Sequence, residues 1–156
     1  MTEKNIVTKI QVLSLQELSP EDRELVTLAR EATKNSYTPY SHFNVGAAIL
    51  LDNGIKIQGS NQENAAFQAG ICAERSACFN AGANYPGARI MKLAISAFQH
   101  GDFVPNPVPP CGICRQALLE FETKGKHDIE VLLAGRDQVY RLESVKALMP
   151  LSFTEF

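Results

Sequence analysis

The 156-residue sequence contains no tryptophan, only three histidines, no surplus of positive charge and no long apolar run. Fifteen lysines and arginines against seventeen acids leave a net charge of −2, whereas a surface built to hold a polyanion carries a basic excess. The longest apolar run, Val45 to Leu51, falls far short of the ~20 residues of a membrane-spanning helix. The opening Met-Thr-Glu-Lys-Asn lacks a basic region followed by an apolar core, so no secretory signal is expected and a cytoplasmic location is. Internal repeats, low-complexity tracts and linkers are absent as well. The remaining composition, 45% hydrophobic and 21% charged, excludes disorder along the whole chain. It fits one domain that needs no disulfide or metal merely to fold.

Local patterns alternate between the two periods of regular structure. Residues 1–18 form an N-terminal extension in which Ile6 to Leu15 reads as a short extra strand; residues 19–156 read as a single domain. Ser19-Pro20-Glu21-Asp22 supplies an N-cap, a first-turn proline and first-turn acids. Leu25, Leu28, Ala29 and Ala32 then follow at helical spacing, with a stop expected near Ser36. Val45–Leu51 and Ile55–Gly59 flank Asp52-Asn53-Gly54 as a β-hairpin. A second helix is expected from about Cys72 to Ala81 with Gly82 as its stop, and a third from about Gly112 to Glu122. Ile90–Phe98 reads as a strand buried on both faces. Asp128–Ala134 and Gln138–Leu142 read as a final strand pair, followed by a short helix over Ser144–Leu148. This order predicts an α/β fold: a three-layer α/β/α sandwich around one mixed sheet of about five strands.

Against so plain a background the four cysteines stand out. In a reducing compartment clustered cysteines point to metal or catalysis rather than to disulfides. Cys72 and Cys111 each open a predicted helix, and Cys114 lies three residues after Cys111, on the same helix face. Helix N-termini favour the thiolate, the form that binds metal. Three thiolates suit zinc and leave one tetrahedral position open, the pattern of a catalytic site. Cys78 sits roughly 240° around the helix from Cys72 and reads as a small core residue. His42, His100 and His127 have no ligand spacing, and His100 and His127 read as surface residues. Glu74, two positions after Cys72, is placed to reach the open position without binding the metal, there to move protons between water and substrate. A redox Cys-x-x-Cys would have no use for Cys72-Ala73-Glu74. Outside enzymology, the alternative is a small binding module that uses zinc structurally.

Cys72-Ala73-Glu74 followed by Pro110-Cys111-Gly112-Ile113-Cys114 resembles the zinc-dependent cytidine deaminases. Tyr40-Ser41-His42-Phe43-Asn44-Val45-Gly46-Ala47-Ala48, Asn61-Gln62-Glu63-Asn64-Ala65 and Leu148-Met149-Pro150-Leu151-Ser152-Phe153 are also similar to that family. The similarity spans residues 20–155.

The resemblance implies one zinc per chain on Cys72, Cys111 and Cys114, with water or hydroxide in the fourth position. It implies hydrolysis of cytidine and 2′-deoxycytidine at C4, with Glu74 protonating N3 and then helping ammonia leave, a reaction of pyrimidine salvage. Phe43 would pack on the base, the backbone around Ala73 would hold the base edge, and Asn61 and Glu63 would bind the ribose. Phe153 would enter a neighbouring subunit's site, because a cysteine at position 72 matches the small homotetrameric members. A nucleoside is favoured over a nucleotide, since the ribose segment offers a carboxylate and an amide rather than cations. Nucleic acid and membrane are not expected as partners, and a blasticidin-like substrate is the alternative within the superfamily. Three thiolates on Zn²⁺ leave an excess negative charge, which two helix N-termini and a hydrogen bond from Arg75 are expected to offset. Phe67 stands where many members have tyrosine, and Asn44 where proline is frequent.

Overall fold

The computed structural model describes residues 1–154. The first helix, α1 (Pro20–Ala32), opens as its sequence dictates: the Ser19 hydroxyl accepts from the Asp22 N–H at 3.1 Å and Pro20 takes the first helical position. A 3-10 turn over Thr33–Asn35 carries it to Ser36. The other helices are α2 (Ala73–Asn84) and α3 (Gly112–Gly125), and a 3-10 turn, Val145–Leu148, follows the last strand.

The strands are β1 (Gln11–Ser14), β2 (Asn44–Leu51), β3 (Lys56–Ser60), β4 (Ile90–Gln99), β5 (Asp102–Phe103), β6 (Glu130–Ala134) and β7 (Gln138–Leu142). They form one sheet in the order β1-β7-β6-β4-β2-β3, with β5 added beside β4. The β4–β6 pair is parallel and the others are antiparallel, so the sheet is mixed as expected. Among the described residues it has seven strands rather than about five. One addition is β1, inside the expected Ile6–Leu15 segment. The other is β5, two residues long, turned back by His100 and Gly101 at φ 54° and 83°; so short a strand leaves no periodic trace in the sequence.

The period of two along each strand divides the core into two layers. Ala48 and Leu50 of β2, Ala94 of β4 and Leu132 of β6 pack with Leu25, Val26 and Ala29 of α1. Their neighbours Ala47, Ile49, Leu93 and Ile95 face the opposite way and pack with Ala77, Cys78, Leu118 and Leu119 of α2 and α3. Gly59 lets α2 lie close, since a Cβ there would meet the Ala73 carbonyl and stand 2.6 Å from the Ala77 nitrogen. Gly82 does not stop α2, which continues to Asn84. Its missing side chain instead makes room for the Phe121 ring, 3.1 Å from where a Cβ would be. Close packing between helices, and not backbone conformation, explains this glycine.

Beneath α1 lies a charge cluster. Asp22 is 2% exposed and accepts from Lys92 Nζ at 2.6 Å and from Arg141. Burial works against its charge, yet the bonds from Lys92 and Ser19 and the charge of Arg141 hold its carboxyl below the ordinary value of 3.8. A depressed carboxylate contributes stability above its unfolded pKa and loses it as pH falls through the folded value. Asp22→Asn should therefore destabilise the protein by about 3 kcal/mol at pH 7, because two cations lose their buried partner. The deficit should shrink below about pH 4, as urea denaturation at a series of pH values would show.

Candidate metal centre

Strands β3 and β4 each run antiparallel to β2, so they point the same way. Helices α2 and α3 follow them on one face of the sheet and therefore begin at the same end of it. Cys72 is the N-cap of α2 and Cys111 the N-cap of α3, both extended, with neither thiol spent on capping its own helix. Cys114 follows in the first turn of α3 and is fully buried. The three sulfurs lie within 4.8 Å of one another, with Cys72 and Cys111 at 3.8 Å. Two sulfurs bound tetrahedrally to zinc at about 2.3 Å are themselves about 3.8 Å apart, so this donor set fits the ion.

The contacts among the sulfurs favour a thiolate at Cys72. The Cys114 thiol, helped by Arg75 and Cys111, pulls Cys72 down to about 5 in spite of burial, while the same contact and burial push Cys114 up. Arg75 lies against the Cys72 and Cys114 sulfurs; although burial opposes it, those sulfurs hold its guanidinium pKa above the ordinary value. Its Nε is buried without a hydrogen-bond partner among the described residues. Glu74, in the first turn of α2, is 4% exposed. Burial pushes its carboxyl up to about 7, and the Cys72 charge adds to the effect. A carboxyl poised near neutrality gives and takes protons equally well.

Cys78 stands outside the cluster. It is fully buried, its thiol donates to the Arg75 carbonyl at 3.7 Å, and burial pushes it up to about 12. No histidine joins the three sulfurs among the described residues.

A cavity of about 610 Å³ opens beside the cluster, lined among others by Tyr40, Asn61, Glu63, Phe67, Cys72 and Arg75. Its far wall is held by side-chain to backbone bonds. Asn61 Oδ1 accepts from the Val45 N–H at 2.8 Å and its Nδ2 donates to the Phe43 carbonyl at 2.9 Å. Glu63 Oε2 accepts from the Tyr40 and Ser41 N–H groups at 2.9 and 3.2 Å. With the Ser41 hydroxyl, and against some desolvation, these hold the Glu63 carboxyl below the usual range. Gln62 exchanges two 2.9 Å backbone bonds with Ile71, tying this wall to the residue before Cys72.

The remaining candidates are spread around the site. Ala73 is buried at the first position of α2. Phe43 is half-buried just before β2 and does not line the cavity. Phe153 is 67% exposed, and its carbonyl accepts from Gln116 Nε2 at 3.0 Å. Sequence reasoning missed Tyr40, whose ring meets Phe67 edge-on at 5.9 Å, and Ile113, which lines the cavity from between the two cysteines of α3. For Ile113 the available signal was a large apolar residue at an exposed helix start.

The zinc-binding region characteristic of cytidine and deoxycytidylate deaminases matches residues 19–126. A cytidine deaminase of Halalkalibacterium halodurans is 38% identical over 134 residues, covering 85% of this chain and 95% of that protein. The crystal structure of cytidine deaminase from Burkholderia pseudomallei is 35% identical and superposes with a TM-score of 0.71, over 87% of this chain and 100% of that one. The enzyme of Mycobacterium tuberculosis is 31% identical with a TM-score of 0.69, over 88% and 100% of the two chains.

Serine substitutions separate the four cysteines by function. Cys78→Ser should keep the full zinc content of the parent protein, whereas Cys111→Ser should lose most of it, as measured by elemental analysis of dialysed protein.

Proposed function

The chain belongs to the cytidine deaminase family, and on that footing we propose that it hydrolyses cytidine and 2′-deoxycytidine to the uridine nucleosides and ammonia. One observation carries the reading: a buried carboxyl, poised near neutrality, stands beside three thiols spaced for a single zinc ion. Zinc held there supplies a Lewis acid that activates water for attack at C4 of the pyrimidine. Glu74 would take one proton from the attacking water and give it to N3 of the base. It would then pass the second, from the hydroxyl added at C4, to the departing 4-amino group as the C4 carbonyl forms. The backbone N–H at Ala73, one of the orphan donors of a helix start, is available to the base edge. Phe43, just before β2 and outside the cavity lining, supports the wall through its carbonyl, which accepts from Asn61 Nδ2. Asn61 and Glu63 face the sugar. Glu63 Oε2 is engaged by Tyr40 and Ser41, which leaves Oε1 to accept a ribose hydroxyl. Arg75 faces the sulfurs and offsets their negative charge.

The sugar end of the site favours an uncharged nucleoside. Among the described residues no lysine lines the cavity, and its arginine, Arg75, faces Cys72 and Cys114, so none of them offers a free cation to a phosphate. Residues 19–156 act as one catalytic domain in pyrimidine salvage in the cytoplasm. No helix among the described residues is long and apolar enough to cross a membrane. The working form is a homotetramer in which Phe153 reaches a neighbouring site. Phe79, Ile113, Leu151 and Phe153 are large apolar residues exposed on the single chain, and such a surface suits burial between subunits.

The test is an absorbance assay on zinc-loaded protein with cytidine, deoxycytidine, cytosine and dCMP side by side. Both nucleosides should turn over, and the base and the nucleotide should not. Glu74→Gln should lower kcat by about 10²–10⁴-fold while zinc content stays that of the parent. Loss of the zinc itself would reassign Glu74 to a structural role.

A further inference from the structure

The three ligand cysteines are not held equally well. Cys114 is buried within α3, and Cys72 follows the paired backbone of Gln62 and Ile71. Cys111 is the exposed one. It ends an irregular stretch containing Pro105, Pro107, Pro109 and Pro110, where proline removes the N–H groups that would otherwise anchor a loop. As the N-cap it is joined to its own helix through its carbonyl, which accepts from the Arg115 N–H at 2.9 Å, while the residues before it are irregular.

One side chain makes up this deficit. Arg115 Nε donates to the Pro110 carbonyl at 2.8 Å, and its Nη1 donates to the Leu148 carbonyl at 2.8 Å. The Pro110 carbonyl shares a rigid peptide plane with the nitrogen of Cys111, so holding the oxygen orients the backbone from which the Cys111 thiol projects. The Leu148 end is itself fixed. Glu122, 2% exposed and seven residues along α3 from Arg115, accepts from the Ser144 hydroxyl at 2.9 Å and the Val145 N–H at 2.8 Å. Seven residues make about two helical turns. Arg115 and Glu122 thus fasten the 144–148 segment along one face of α3, and the guanidinium is clamped from outside the metal loop.

We propose that Arg115 is a positioning residue for the metal centre: by bridging the Pro110 and Leu148 carbonyls it aims the exposed Cys111 ligand at the ion. Arg115 donates to carbonyls rather than to sulfur, so its role differs from the charge compensation assigned to Arg75. The inference rests on the three-thiolate zinc centre and not on the substrate.

The test is the zinc dissociation constant of folded protein, measured by competition with a chromogenic chelator. Arg115→Ala should bind zinc about 10–100-fold more weakly, the usual effect of losing a group that orients a metal ligand. Arg115→Lys should fall between, because an ammonium lacks the planar fork that serves two carbonyls. Gln116→Ala, which cuts only the neighbouring bond to the Phe153 carbonyl, should bind zinc as the parent does. Parental affinity in Arg115→Ala, or an equal loss in Gln116→Ala, would overturn the proposal. If the alanine variant does not fold, the lysine variant decides on the same terms: weakened binding supports the role and parental affinity overturns it. Because the readout is metal affinity, failure here is distinct from failure to deaminate a nucleoside.

Discussion

Two helix N-termini converge on one end of the sheet, and the chemistry of the chain depends on that convergence. A helix start offers unpaired N–H groups and the positive end of the macrodipole, which lower the cost of a thiolate. One such end would hold one or two sulfurs. Bringing α2 and α3 together places Cys72, Cys111 and Cys114 within 4.8 Å of one another. The arrangement follows from topology: β3 and β4 run in the same direction because each is antiparallel to β2. Gly59 then permits α2 to seat with its first turn against the sheet.

That geometry concentrates negative charge, and the surrounding residues answer it in different ways. Arg75 brings a cation to two of the sulfurs. Glu74, buried beside them, is pushed towards its neutral form, as a second anion in a low-dielectric site must be. The burial that makes this carboxyl costly to ionise, with the Cys72 charge adding to it, fits it to carry protons in the proposed reaction. The cavity lining adds rings and polar groups, Tyr40, Phe67, Asn61 and Glu63, and the carboxylate of Glu63 is steadied by backbone N–H groups instead of a cation.

Where local chemistry decides the outcome, the sequence was legible. Ser19 and Pro20 start α1, the Asp52-Asn53-Gly54 turn joins β2 to β3, and the alternation along β2 and β4 separates the two faces of the core. The division of the cysteines was legible too, because three of them sit at helix starts while Cys78 lies on a helix face turned to the core. Features that depend on distant partners were not. Gly82 looks like a helix stop and is in fact the seat of the Phe121 ring. The two-residue β5 is too short for any period, and both polar atoms of the Asn61 amide bond to the backbone of Phe43 and Val45. The reach of Arg115 to Leu148 spans 33 residues and leaves no mark on either segment.

The central claim is a zinc ion held by three thiolates with its fourth position open to the reaction. X-ray absorption at the zinc edge of the loaded protein measures this directly. The account predicts three sulfur neighbours at about 2.3 Å and one lighter atom at about 2.0 Å. Four sulfur neighbours and no light atom would contradict it, since the site would then be closed and structural.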